Sequence, residues 1–334
     1  CRLFLPGISK SIQTGPVREK MSHRNLAFDL RPMKKDEWHE VGKLIHESTN
    51  SWYVANGKKP IFTGPISDAR IFCEIYEVLD PGCCILAVCR ETGKVCGSCF
   101  YHPRSTHVSL GIMNVHCDFF GKGIASSLLS WVTQYAEEQH LPVRLVSSAH
   151  NLDSFSLYTK KGFVPFLSFQ DLFIEVPTDG LQMEKMSENG AVREAVPDDI
   201  VDMVILENEL IGIERAKDFS HFIKNSEGIW KTVVFRDSNE KLLGFLSSVN
   251  HPGCRMIGPG VARAENIITA LLATQLDFFR GYSPVFLLPV DAAQTVKTAY
   301  SWGARNCEIH FAQCLGKTQT PRGVVMPTFM PETG

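Results

Sequence analysis

The chain has 334 residues, and its 34 Lys and Arg against 36 Asp and Glu leave a formal net charge of −2. Hydrophobic residues make up 44% and charged residues 21%, a balance typical of a soluble globular protein and not of a disordered one. The near-neutral charge gives no footprint for nucleic acid, and no apolar run approaches the roughly 20 residues that cross a bilayer, so we expect neither nucleic acid nor a membrane as a partner.

The length exceeds that of most single cores, so it predicts two domains. The start of the chain lacks a clean signal-peptide pattern, and we interpret residues 1–25 as a flexible leader, with a truncated targeting segment as the alternative. The cysteines number eleven, which is odd, and several lie in strand-like segments. They are typical of reduced, buried thiols in a cytoplasmic protein, so we expect neither a disulfide framework nor a bound metal.

Apolar periodicity organises residues 26–177 into one domain of mixed helices and strands. Helical spacing predicts helices over residues 35–50, 67–79, from 124 to before Pro142, and 151–161. Strand-like patterns predict strands over residues 28–32, 84–88, 95–101, 108–115, 143–146 and 169–176. Turn residues separate these elements, most clearly Asp80-Pro81-Gly82 and the hairpin turn at Gly93.

The order of elements then repeats. Turn-forming residues predict a linker over residues 178–190, and residues 191–334 follow the pattern of the first domain. Short echoes join residues 192–199 to 30–36, residues 241–244 to 94–97, and residues 299–303 to 157–162. Because the spacing between echoes is unequal, we interpret the repeat as an old duplication and not as a solenoid.

The turn Gly121-Lys122-Gly123 ends a predicted strand and immediately precedes an amphipathic helix. Two glycines let a backbone approach a ligand closely, and the free amides and positive dipole end of a helix N-terminus favour a pyrophosphate. The third glycine of a dinucleotide-binding fingerprint and the Gly-Lys-Ser/Thr of a P-loop are both absent. Taken alone, the turn is also compatible with simple close packing.

A later segment, Asn151…Tyr158-x-x-x-Gly162-Phe163, makes the pattern more specific. Together with the glycine turn it resembles the GNAT acetyltransferase superfamily over about residues 28–176. The resemblance implies an α+β fold, a mostly antiparallel, twisted mixed sheet flanked by helices, present here as two tandem copies. It also implies acetyl-CoA as the donor and a primary amine as the acceptor.

The same resemblance places the cofactor. The pantetheine arm would pair with the fourth strand at Asn114 and Val115, and Asn151 would contact it. The diphosphate would lie over the turn and the start of the helix, at Gly121, Lys122, Gly123, Ile124, Ala125 and Ser126. One position departs from the family pattern, because Asp118 stands where Gln or Arg is usual. Lys122 is the basic residue left nearby, so we expect diphosphate binding through backbone amides with reduced affinity.

Two residues are candidates for proton transfer. By resemblance, Tyr158 points at the thioester sulfur, and a tyrosine with a pKa of roughly 10 suits protonation of a leaving thiolate. The alternative is a ring that packs on an amphipathic helix. His107 falls near the place of a glutamate base in some family members, and a histidine suits a base at neutral pH. The alternative, which the neighbouring turn residues 103–106 favour, is a solvated turn residue. His116, Asp118 or a chain of waters are further alternatives for the base.

The second copy lacks the glycine turn. Alignment of the helices puts Ala264, Glu265 and Asn266 opposite residues 121–123, so both glycines are replaced and a carboxylate stands where a diphosphate would rest. We therefore expect this copy to bind no acetyl-CoA and to serve a structural role, covering the first sheet or walling the acceptor pocket.

These observations predict an N-acetyltransferase in which a small-molecule or protein amine attacks the thioester directly. The alternative is a CoA-binding regulatory or scaffold protein that has lost its chemistry. The first two helices, with Trp52 and Tyr53, would line the acceptor pocket, although both side chains are equally compatible with core positions. The sequence indicates neither the acceptor nor the oligomeric state.

Overall fold

A computed structural model describes residues 27–181 and 190–330. The proposed leader, residues 1–25, and most of the proposed linker therefore lie outside the described residues. Among the helices of the described ranges, none combines the length and apolar character that a membrane span requires.

The first half contains the predicted elements in the predicted order. Its strands are β1 (Phe28–Pro32), β2 (Cys84–Cys89), β3 (Val95–Pro103), β4 (Val108–Val115), β5 (Val143–Ser148) and β6 (Val164–Phe173). Its helices are α1 (Trp38–Ala55), α2 (Arg70–Leu79), α3 (Ile124–Glu138) and α4 (Leu152–Lys160). The strands β1 and β4 begin and end at the predicted residues. The sixth strand is Val164–Phe173 and not residues 169–176. The prediction missed its start because the first five residues are exposed or half-buried and show no alternation.

The second half repeats this order, which confirms the duplication. Its strands are β7 (Ala191–Glu194), β8 (Trp230–Arg236), β9 (Leu242–His251), β10 (Cys254–Ala262), β11 (Val285–Pro289), β12 (Arg305–Leu315) and β13 (Val324–Met326). Its helices are α5 (Ile200–Ile211), α6 (Ala216–Lys224), α7 (Glu265–Asp277) and α8 (Ala293–Ser301).

Both halves share one sheet, in which they exchange strands. The strand order is β1-β2-β3-β4-β5-β12-β6-β11-β10-β9-β8-β7, with β13 paired to β10. Thus β12 of the second half lies between β5 and β6, and β6 of the first half lies between β12 and β11. Most pairs are antiparallel, and β4–β5 and β10–β11 are parallel, as expected for the predicted fold class. Each half therefore completes its sheet with a strand of the other.

The core also crosses between the halves. One cluster of buried apolar side chains contains Leu44 of α1 and Phe72 of α2 together with Phe219 of α6 and Phe245 of β9. A separate cluster packs the buried face of α3, including Leu128 and its neighbours, on the first half of the sheet. Burial of shared apolar area is the main favourable term in folding, so the halves stabilise each other.

Candidate active site

A cavity of about 770 Å³ opens between α1, the end of β4, the start of α3 and α4. It exists because the parallel strands β4 and β5 pair at Val108–Val143 and Ser109–Arg144 and then separate. The residues that line it are Ser48, Thr49, Trp52, Tyr53, Met113, Asn114, Val115, Phe119, Phe120, Gly121, Gly123, Ile124, Ala125, Ser126, Asn151, Asp153, Ser154, Leu157 and Lys160. All the residues predicted to bind the cofactor, except Lys122, are in this lining.

The end of β4 forms one wall. Asn114 and Val115 pair with β3 along one edge, whereas the parallel pairing with β5 has already ended, so the other edge faces the cavity. The amide of Asn114 donates to Ser48 Oγ at 2.8 Å and to Thr49 Oγ1 at 3.3 Å, which fixes α1 against this strand. Free backbone groups are thus available for an extended ligand to pair with.

The glycine turn forms the next wall. Gly121 and Gly123 have φ angles of +73° and +82°, in the left-handed region that favours glycine. A Cβ atom built on either residue would meet no atom within 4 Å, so both border open space. Gly123 is the N-cap of α3, and the first amides of a helix have no acceptor within it. Amides around a cradle of this kind suit a phosphate group.

The charged side chains near the turn differ from the expectation. The Lys122 ammonium lies 4.6 Å from the centroid of the Phe119 ring and does not line the cavity. The Asp118 side chain is 77% exposed, so its carboxylate is held in solvent and not against the turn. A basic residue that the sequence reasoning missed, Lys160, does line the cavity. Its spacing could have revealed it, because Asn151, Ser154, Leu157 and Lys160 recur every three residues along one face of α4.

Tyr158 lies beside that face and not on it. One residue corresponds to about 100° around a helix, so Tyr158 is turned away from its cavity-lining neighbour Leu157. Its side chain is buried, and its ring centroid lies 5.9 Å from that of Phe163 within the core under α3. The surroundings of Tyr158 are therefore those of a ring packed in the core. Its role in proton transfer stays a prediction.

His107 is not brought to the cavity. It precedes β4, about 23 Å along an extended strand from Asn114. The ring is buried, with Nε2 3.0 Å from Ser109 Oγ and Nδ1 3.0 Å from Thr106 Oγ1. Burial, with nearby arginines, holds the pKa of His107 well below its usual value, so the ring is neutral. It is a satisfied interior group, neither a solvated turn residue nor a cavity base.

In the second half, the place that corresponds to the cavity is occupied by strand β13. There β10 pairs with β11 at Met256 and Ile257, and beyond this point its open edge pairs with β13, Val261 facing Val325. Glu265 at the start of α7 accepts a hydrogen bond from the backbone N–H of Thr295 in α8, at 2.8 Å. The carboxylate therefore ties together the two helices whose counterparts in the first half border the cavity.

A buried polar group lies beyond the α1 wall, and the sequence reasoning did not find it. Asp171 of β6 pairs in register with Glu308 of β12, and His310 follows on the same strand. The Lys58 ammonium is 2.7 Å from Glu308 Oε1, and Tyr53, which lines the cavity, faces the same carboxylate. No local pattern could have revealed this group, because its strands come from different halves of the chain.

Comparison with known proteins agrees with this description. The model of the acetyltransferase (GNAT) family matches residues 45–163. The UPF0157 protein YqkA of Bacillus subtilis (strain 168) is 32% identical over 74 residues, which are 22% of this chain and 21% of that protein. The chain therefore matches about a fifth of that relative's length.

Solved structures resemble nearly the whole chain. A proposed acetyltransferase from Pyrococcus horikoshii superposes with a TM-score of 0.69 at 15% identity, covering 93% of this chain and 99% of that one. A tandem GNAT protein from the clavulanic acid biosynthesis pathway gives a TM-score of 0.58 at 12% identity, with 87% and 100% covered. At these identities the likeness shows the fold, which is the tandem arrangement of two similar halves.

Proposed function

We propose that the chain is a GNAT acetyltransferase, as the family model that matches residues 45–163 supports, and that it transfers an acetyl group from acetyl-CoA to a primary amine. One observation carries the proposal. The unpaired edge of β4 and the open N-terminus of α3 border one cavity, which offers backbone groups to an extended arm and to a diphosphate at once. The second half, whose corresponding edge is paired with β13, is proposed to be structural.

The residues present fit acetyl-CoA. Asn114 and Val115 would pair with its pantetheine arm, and residues 121–126 would hold its diphosphate through their amides. Lys160 would supply the positive charge that Lys122 does not. Asn151 Oδ1 accepts from the backbone N–H of Ser154 at 3.0 Å, which fixes the start of α4 where the arm would pass. The cosubstrate supplies an acyl group on a good leaving group.

The reaction would be a direct transfer. The amine nitrogen forms a bond to the acyl carbon, the carbon–sulfur bond breaks, the nitrogen loses a proton and the thiolate gains one. Tyr158 is proposed as the donor of the second proton, which requires its hydroxyl to reach the sulfur from the core side of α4. Because His107 is remote from the cavity and its lowered pKa makes it a weak base, water in the cavity is proposed to take the first proton.

Binding of acetyl-CoA by calorimetry tests the site. Gly123→Glu puts a side chain and a negative charge into the cradle, and we expect binding to be lost. Gly93→Glu is the matched control, because Gly93 has a φ of +70° and borders open space at a hairpin turn outside the cavity lining. Equal affinity in the two variants would refute the site assignment.

Turnover is measured separately, as thiol release from acetyl-CoA with a panel of primary amines. Release that depends on the amine supports the transferase. Tight binding of acetyl-CoA with no release on any amine would instead favour a CoA-binding regulatory protein.

A further inference from the structure

The three side chains behind Tyr53 form an arrangement that folding alone does not favour. Asp171 and Glu308 stand directly opposite each other on β6 and β12, and their side chains are 8% and 4% exposed. Like charges on directly opposite residues destabilise a sheet, and burying a carboxylate adds a desolvation cost. His310, 8% exposed, completes what is called here the Asp171 group (Asp171, Glu308 and His310).

The group has unused hydrogen-bonding capacity. Within residues 27–181 and 190–330, Asp171 Oδ1, Glu308 Oε2 and His310 Nδ1 are buried and have no hydrogen-bond partner. Leaving such an atom unpaired is unfavourable, because burial removes its hydrogen bonds to water. One ligand atom from each of the three side chains lies within 4.8 Å of the others. When ionised, the carboxylate oxygens can only accept, so the partner that suits them is a compact donor of several N–H or O–H groups.

The charge balance favours a cationic donor. Burial and the charge of Glu308 raise the pKa of Asp171 to about 7, so this group is ready to ionise beside a cation. Burial lowers the pKa of His310 to about 4, so its ring is neutral. Within the group, Lys58 forms an ion pair with Glu308 and not with Asp171. The Lys58 side chain is 28% exposed. The Lys58 ammonium, 2.7 Å from Glu308 Oε1, shows that a charged amino group fits against this group.

The group lies beside the cavity but not in its lining. Tyr53 lines the cavity on one side and faces Glu308 on the other, and burial together with Glu308 raises the pKa of its hydroxyl. An ammonium held by Asp171 is thus separated from the cavity by the Tyr53 side chain. The acetylated amine must lie in the cavity, so one amino group cannot occupy both places.

We propose that the Asp171 group binds a second, charged amino group of the acceptor, and that the acceptor is a diamine or polyamine. The inference rests on the proposed transferase function. The second half of the chain would then contribute, through Glu308 and His310, to acceptor selection in the first half. A divalent metal ion is disfavoured, because the Lys58 ammonium already occupies Glu308 and would repel it.

The experiment compares putrescine and spermine with butylamine, which lacks the second charge, at saturating acetyl-CoA. The readout is the ratio of kcat/KM for each polyamine to that for butylamine within one preparation, so an inactive fraction cancels. We expect a ratio of at least about ten for one of them in the native protein, and a roughly tenfold fall in Asp171→Asn and Glu308→Gln. Glu175→Gln, an exposed residue on the same chain segment, is the matched control and should keep the ratio.

An unchanged ratio in both variants, or a ratio near one in the native protein, would overturn the inference while leaving the transferase intact. If no amine is acetylated, the transferase proposal fails, and thermal stabilisation by spermine against butylamine decides the site separately. Stabilisation by spermine that Asp171→Asn removes supports it. Loss of the effect with a chelator, with recovery on adding zinc, would identify a metal site instead.

Discussion

Arg104 and Asp218 form a bidentate ion pair that joins the two halves inside the protein. The Nε and Nη2 atoms of Arg104 lie 2.8 and 2.7 Å from the two carboxylate oxygens of Asp218. The side chains of Arg104 and Asp218 are 2% and 0% exposed. Nη1 of the same guanidinium donates to both oxygens of Asp80, at 2.9 and 3.1 Å, and Lys217 of the second half also contacts Asp80. One guanidinium thus compensates two buried carboxylates from different halves of the chain.

Replacement of Arg104 by Met should destabilise the whole chain. It leaves Asp218 buried without its partner, and breaking a buried pair from one side typically costs about 3–5 kcal/mol. Urea denaturation measures the change in the free energy of unfolding. The control is Arg90→Met, which removes an ion pair with Asp29 whose partners are 51% and 63% exposed, and pairs of that kind contribute about 0–1 kcal/mol. Similar losses in both variants would show that Arg104 is not essential to the joint.

The strand exchange makes a second prediction about the halves. A fragment ending at Leu181 lacks β11 and β12, so β6 loses both of its neighbours and β5 loses one, which exposes strand edges. We expect the fragment to aggregate or unfold and to bind no acetyl-CoA, as judged by circular dichroism and calorimetry. Co-expression with residues 182–334 should restore both. A fragment that folds and binds alone would show that the exchange is dispensable.

Local patterns were sufficient to predict the strand, turn and helix that border the cavity. The period-two pattern of residues 108–115, the glycine turn and the helical stripe after it each depend on neighbours in sequence, and the structure places all three as predicted. The direction in which the side chains of α4 point was harder to predict from the sequence. Lys160 and Tyr158 lie two residues apart in α4, yet one lines the cavity and the other is buried beside Phe163. Their helical phase, counted from Asn151, would have separated them.

The other side of the site could not be predicted from local sequence. Asp171 and Glu308 become neighbours because β12 enters the first half of the sheet, a pairing between residues 137 positions apart that no period in either strand encodes. The same holds for β13, whose three residues occupy the edge of β10 that corresponds to the open edge of β4. Long-range pairing, and not composition, decides which half keeps an open slot.

Two adjacent lysines at the end of α4 allow a test of whether the charge that faces the cavity binds acetyl-CoA. Lys160 lines the cavity, whereas the Lys161 ammonium bonds Ser130 Oγ at 2.7 Å, and both residues are exposed. We expect Lys160→Ala to weaken acetyl-CoA binding by about fivefold, equivalent to about 1 kcal/mol, and Lys161→Ala to leave it unchanged. The difference should shrink as salt is raised, because the interaction is screened. Calorimetry at low and high salt measures the acetyl-CoA affinity of both variants. Equal losses of affinity would contradict the placement of Lys160, and not Lys161, against the cavity.

Asp171 also gives a prediction of stability against pH. The titratable groups around Asp171 are its partner Glu308 and the side chains next to the pair, which are Tyr53, Lys58, Cys307 and His310. Because the pKa of Asp171 is about 7 in the folded chain and about 3.9 when unfolded, the native state binds the extra proton between these values. The contribution of Asp171 to stability therefore falls as pH rises from about 4 to 7, and stays low above that.

Asp171→Asn removes this titration while keeping the shape of the side chain. We expect the variant to be more stable than the native protein at pH 8, by on the order of a few kcal/mol, and this difference to be markedly smaller at pH 5. Urea denaturation at both pH values measures the two differences, with Glu175→Gln as the exposed control. A stabilising substitution that lowers polyamine selectivity would mean that the carboxylate is kept at a cost to stability because it binds substrate. A variant that is less stable at pH 8 would contradict the raised pKa, and would assign Asp171 to the fold.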